Sequence, residues 1–148
     1  MGFNMINVDS IDQEIKFNIT HRKYDVNDSY FDQIDTEEKA YFLGLLYADG
    51  CNRKTKWKAK TISISLIDSD KEIIQKLKEA IQYTGPLYNN KTGSKSKTNS
   101  CTLKVNSVYM SRALTNAGCM MNKTFNLKFP TEEQIPSCLI HHFVRRIF

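Results

Sequence analysis

Two periods of hydrophobicity divide this chain into elements. In TISISL, Ile62, Ile64 and Leu66 alternate with Thr61, Ser63 and Ser65, which predicts a half-buried strand with a small polar outer face. SCTLKVNS repeats the pattern, setting Cys101, Leu103 and Val105 against Thr102, Lys104 and Asn106. Asn52 to Thr55 and the stretch PLYNNK are read as their hairpin partners. Helical spacing governs KEIIQKLKEAIQYT, where Ile73, Ile74, Leu77 and Ile81 fall on one face. Ser69 and Glu72 stand at capping-box spacing before it, and Gly85-Pro86 is the expected stop. Ser107 caps a further helix carrying Val108, Leu114 and Ala117, and CLIHHFVRRIF begins another after a loop with Pro130 and Pro136. Upstream, Asp35 and Glu38 mark the start of a helix over Thr36–Ala48, with Gly50 as the permissive residue past its end. Residues 1–34 are polar and weakly periodic, an extended lead-in with one short element near Ile11–Phe17.

The resulting order is helix, strand, strand, helix, strand, strand, helix. Two hairpins separated by helices predict an α+β fold, an antiparallel four-stranded sheet with helices on one face. The organisation expected is a lead-in over 1–34, a domain over 35–130, and a linker with the start of another helix over 131–148. Thr61, Ser63, Ser65, Thr102, Lys104 and Asn106 share the uncovered face. Strands with alternating hydrogen-bonding side chains can read base edges, so that face suits a nucleic-acid groove.

Charge sharpens this picture more than composition does. Residues 1–50 hold ten acids and four Lys/Arg, a net of −6, whereas 51–148 hold 17 Lys/Arg and six acids, a net of +11. The asymmetry points to a polyanionic partner, the alternative being a solvated basic face. The best-placed backbone contacts are Lys56, Lys58, Lys60, Lys95, Lys97 and Lys104, the middle ones in the Gly/Ser/Lys loop KTGSKSKTN. Trp57 and Tyr88 face bases or sugars, or pack in the core. The four cysteines show no CxxC spacing, which argues against a zinc site or a disulfide framework. No apolar run reaches the roughly 18–20 residues of a membrane span, and MGFNMINVDS lacks the features of a signal peptide, so an intracellular protein without membrane contact is expected.

The segment YFLGLLYADG, residues 41–50, stands apart. From Ala40 to Ala48 it is apolar on every side, so burial all round is expected. Gly44 and Ala48, one turn apart and flanked by Tyr41 and Leu45, let a second helix approach closely. Asp49 then sits at the helix C-terminus, where the macrodipole disfavours an anion. A divalent cation held by Asp49 and phosphate oxygens accounts for that placement; an ordinary turn aspartate is the alternative.

FLGLLYADG, residues 42–50, resembles the LAGLIDADG (DOD-type) motif of homing endonucleases, matching Gly44, Leu45, Ala48, Asp49 and Gly50, with Tyr47 in place of an acid. The lead-in YFDQIDTEEKAYFLGLLYADG is similar to the two-motif, intein-related branch. So is AGCMMNKTFNLKFP, residues 117–130, whose Lys123 falls on that branch's lysine. The resemblance covers about residues 24–148. It implies two motif helices packed together, their terminal acids binding Mg2+ (or Mn2+), and hydrolysis of both strands of a long double-stranded DNA site. Asp49 is the implied metal ligand and catalytic acid, and Lys123 the implied lysine near the reacting phosphate; a surface lysine on phosphate is the plainer alternative for Lys123.

HHFVRRIF, residues 141–148, resembles the opening of a second motif, with Val144 at its first position and Arg146 where the close-packing glycine belongs. Phe148 is the fifth position, so the resemblance implies a copy truncated within that motif. The second acid then comes from a missing C-terminal half or from a homodimer through the 40–48 helices. His141 and His142 are expected to face packing or solvent. Two other readings remain: a non-cleaving DNA- or RNA-binding module, maturase-like or regulatory, on the same fold, and a structural fragment without a partner.

Overall fold

The computed structural model describes residues 13–54, 60–90, 99–119 and 130–147. Helical backbone over 13–21 (α1) precedes α2 (Glu37–Asp49), β1 (Gly50–Lys54), β2 (Lys60–Ile67), α3 (Lys71–Ala80), β3 (Tyr88–Asn90), β4 (Ser100–Asn106), α4 (Val108–Asn116) and α5 (Ile140–Ile147). The class is α+β. The four strands form one antiparallel sheet in the order β1-β2-β4-β3, which makes β2 and β4 the inner pair.

Strand register makes one face apolar. Ile62 pairs with Val105, Ile64 with Leu103 and Leu66 with Cys101, and all six are buried. Against them pack Leu46 of α2, Leu77 of α3 and Met110 of α4, so these helices share one side of the sheet. Each fully buried Leu or Ile contributes about 1.5–3 kcal/mol relative to exposure, which is why the period-two pattern holds so firmly.

Helix boundaries follow backbone chemistry that differs from the simple sequence signals. α2 is capped by Thr36, whose hydroxyl accepts from the Lys39 amide, while Asp35 instead pairs with Lys39 at 3.0 Å. α3 follows a 3-10 turn over Asp68–Asp70 and has Asp70 at its N-cap without a side-chain bond, so Ser69 does not cap it. Its end comes before Gly85-Pro86. The Gln82 amide donates to Glu79 O and the Tyr83 amide to Lys78 O, with Gln82 at φ 55°, a Schellman closure. α4 begins at Ser107 as its sequence requires, the hydroxyl accepting from the Met110 amide, and closes the same way on Gly118 at φ 99°.

Gly50 also departs from expectation. Its φ of −84° and ψ of 165° are extended and open to any residue, so no left-handed turn ends α2. What requires glycine is space, since a Cβ there would stand 2.7 Å from Leu46 O and 2.8 Å from its Cα.

The N-terminal stretch is less of a loose lead-in than its polarity suggests. Tyr30, Phe31 and Ile34 are buried in the main core. The Asn27 amide donates to Ile81 O and the Asp25 amide to Thr84 Oγ1, which fastens the segment to the end of α3. Asp28 accepts from Arg22 at 3.0 Å and from the Ser107 hydroxyl at 2.5 Å, so the residue that caps α4 also anchors this strap.

Candidate nucleic-acid interface

α2 and α5 make the most extensive helix pair among the described elements, and Gly44 is its centre. A Cβ on Gly44 would run into the carbonyl oxygen of Phe143 and lie 3.1 Å from its carbonyl carbon. Phe143 is fully buried and meets the Tyr47 ring edge-on, with centroids 4.8 Å apart. His142 Nε2 lies 3.4 Å from Glu37 Oε1, and the Arg145 guanidinium lies 5.5 Å from the Tyr41 ring centroid. These contacts run from Glu37 to Tyr47, so α5 lies against four successive turns of α2.

The seam closes one turn before the motif ends. Phe42 to Tyr47 are buried and Tyr41 is half-buried beneath Arg145, but Ala48 and Asp49 are exposed. Burial all round therefore stops at Tyr47, because the close approach is at Gly44 and Ala48 lies beyond it. Leu45 is buried in the core. Tyr47, in the place of an acid, is itself a core residue: its hydroxyl donates to Ala117 O at 3.2 Å, and burial pushes its ionisation well above the ordinary tyrosine range. Gly118 makes room for that hydroxyl, which a Cβ there would strike. His141 is exposed and His142 faces Glu37, so neither is aimed at Asp49.

A cleft of about 690 Å³ opens between α2, α3 and α5, lined by Glu37, Tyr41, Ile73, Lys76, His142 and Arg145 among others. It lies at the N-terminal half of α2, over Glu37–Phe42, roughly 10–18 Å along the helix from Asp49 at 1.5 Å per residue.

The uncovered sheet face is organised in cross-strand rows. Thr61 stands opposite Asn106, Ser63 opposite Lys104 and Ser65 opposite Thr102. Thr61 Oγ1 donates to Asn106 Oδ1 at 2.8 Å, and the Ser65 and Thr102 hydroxyls are bonded to each other at 2.8 Å. Tyr88 continues the Thr102 row onto β3, is 46% exposed, and has Lys104 Nζ 5.9 Å from its ring centroid. Cys51 continues the Ser63 row onto β1. Of the residues expected on this face, Ser65, Lys104 and Asn106 are exposed and Ser63 is half-buried. Thr102 is buried, 5% exposed, and is not an open contact residue. Lys60 starts β2 in phase with Ile62 and Ile64, so its Cβ points to the helix-covered side rather than to this face. Lys56, Lys58, Lys95, Lys97, Lys123, Trp57 and the Arg146 side chain lie outside the described residues.

Sequence signals missed one buried polar centre. Asn52 is 1% exposed on the helix-covered side of β1. Its Nδ2 donates to Ser111 O at 3.0 Å and Cys119 O at 3.2 Å, and its Oδ1 accepts from the Ser111 hydroxyl at 2.6 Å. Only its in-phase position with buried Ile62 across the register could have flagged it.

As to metal, an exposed carboxylate at the foot of the seam fits one oxygen ligand of a hard cation. Among the described residues no group of three or more His, Cys, Asp or Glu converges to hold one. Asp49 therefore fits a share of such a site, with phosphate oxygens, water and at least one further ligand completing it. No helix among the described residues is long and apolar enough to cross a membrane. No family model matches the chain, and no curated protein matches it closely enough to count as a relative.

Proposed function

We propose that this chain is a DNA-binding domain of the LAGLIDADG homing-endonuclease type, with Asp49 supplying an acidic ligand for metal-dependent hydrolysis of a phosphodiester in a long double-stranded site. The observation that carries this reading is the Gly44 seam, which leaves Asp49 exposed at its foot. Asp49 is followed directly by β1 of the open, hydrogen-bonding sheet face. Asp49 is the last residue of α2, one position before β1 pairs with β2, so a duplex lying along the face would bring a phosphate to its carboxylate. Mg2+ or Mn2+, when bound, would supply charge neutralisation at the phosphate and a more acidic water. Asp49 would hold and orient, Lys104 and the rows beside it would fix the duplex in register, and Lys123 would sit near the reacting group as the resemblance implies.

The test is incubation of the full chain with duplexes from a randomised pool and from the DNA flanking its coding sequence, with Mg2+ or with EDTA. Metal-dependent cutting that falls at least about 100-fold in Asp49→Asn, with binding retained, is the expected result. A second reading, a non-cleaving DNA- or RNA-binding module, is favoured by the face itself, whose internally bonded rows need no metal. Binding without cutting under the same conditions would establish it. No binding at all would leave neither.

A further inference from the structure

The three rows of the open face are not equivalent. Thr61–Asn106 and Ser65–Thr102 each close a bond within the row. In the middle row, Ser63 and Lys104 make no side-chain hydrogen bond or ion pair among the described residues, although both stand on the inner strands. Lys104 is exposed, and its ammonium lies 5.9 Å from the centroid of the Tyr88 ring, which can steady a cation without neutralising it.

Widths decide what such a lysine meets. Strands are about 4.8 Å apart, so four span roughly 14 Å, while the major groove is about 12 Å wide. The edge strands β1 and β3 then meet the phosphate walls, and the inner pair lies over the base edges. Asn106 already spends one of its oxygen's two acceptor sites on Thr61, and it carries no charge. Thr102 is buried. Ser63 offers a single half-buried hydroxyl, whereas Lys104 is the exposed inner-strand group with a charge and several donors unspent, and a lysine matches the paired acceptors O6 and N7 of guanine.

We propose that Lys104 is a specificity-determining residue, reading a guanine in the major groove rather than serving as one more phosphate contact. This rests on the DNA-binding reading above but not on cleavage. Selection of bound duplexes from a random pool, in EDTA, by the wild-type chain and by Lys104→Arg and Lys104→Gln tests it. The wild type should enrich a site with a fixed guanine, and Lys104→Arg should keep it. Lys104→Gln should change that position alone toward adenine, with discrimination shifting by about 10-fold or more. Because Lys104 is exposed, both variants should melt with the wild type. If Lys104→Gln keeps the guanine and only weakens binding uniformly, Lys104 contacts phosphate and the inference is overturned while the DNA-binding reading stands. If the wild type enriches no duplex at all, that reading falls and this inference with it.

Discussion

Single residues here settle questions that composition leaves open. Asn52 looks like an ordinary polar residue in a short strand, yet it satisfies a carbonyl and a hydroxyl of α4 and the carbonyl that follows it, inside the core. Leaving such groups unpaired costs about 1–3 kcal/mol each, so this side chain fixes how α4 sits on β1. Tyr47 makes a comparable point with a pH signature. Its hydroxyl is kept neutral by burial first and by the neighbouring Cys119 thiol second, so its folded ionisation lies above its unfolded one. A raised folded value means stability that is fully present below the unfolded value of about 10 and lost as pH rises beyond it. Denaturant unfolding between pH 7 and 11 should show Tyr47→Phe losing about 0.5–1.5 kcal/mol at neutral pH through the missing bond to Ala117. Above pH 10 it should fall less steeply than the wild type. Tyr30, Tyr83 and Tyr109 are also raised and will keep part of the slope. Identical slopes in the two proteins would contradict the assignment.

At the scale of elements, the pair α2 and α5 turns on one missing methyl group. In an exposed helix interior Gly→Ala gains about 1 kcal/mol from propensity. At Gly44 the new Cβ meets backbone of Phe143, which cannot rotate away, and overpacking of this kind costs about 1–3 kcal/mol or more. The clash should win. Gly44→Ala is expected to lower the unfolding free energy in urea by a net of about 1–2 kcal/mol and to speed hydrogen exchange in α5 and the facing turn of α2, with the sheet unchanged. A stabilised variant would mean that α5 does not approach so closely. The same scale shows how much of the elements the sequence could announce. Alternation in TISISL and in SCTLKVNS, and the cap at Ser107, are local signals and place β2, β4 and α4 correctly. The caps of α2 and α3 miss by one residue, because neighbouring Asp, Thr and Ser side chains compete for the same amides and the turn geometry chooses among them.

For the molecule as a whole, the seam on α2 is already occupied by the chain's own α5. A homodimer through the 40–48 helices would have to displace Phe143 from a fully buried position, at a cost of about 3–5 kcal/mol if removal of the ring is a guide. Sedimentation at micromolar concentration should therefore return the mass of one chain, and a dimer that retains α5 protection would require some other surface.

The sequence by itself determined the period of each strand, the helix that must be buried, and the motif that places Asp49 at its end. These depend on residues within a few positions of one another. Tertiary structure alone decided the order β1-β2-β4-β3, the pairing of Ser63 with Lys104, the burial of Thr102, and the entry of Tyr30, Phe31 and Ile34 into the core. It also decided that Gly44 faces Phe143 of this same chain. Each of these is a contact across dozens of residues, selected by which apolar faces fit together once all are present, and no local pattern carries that information.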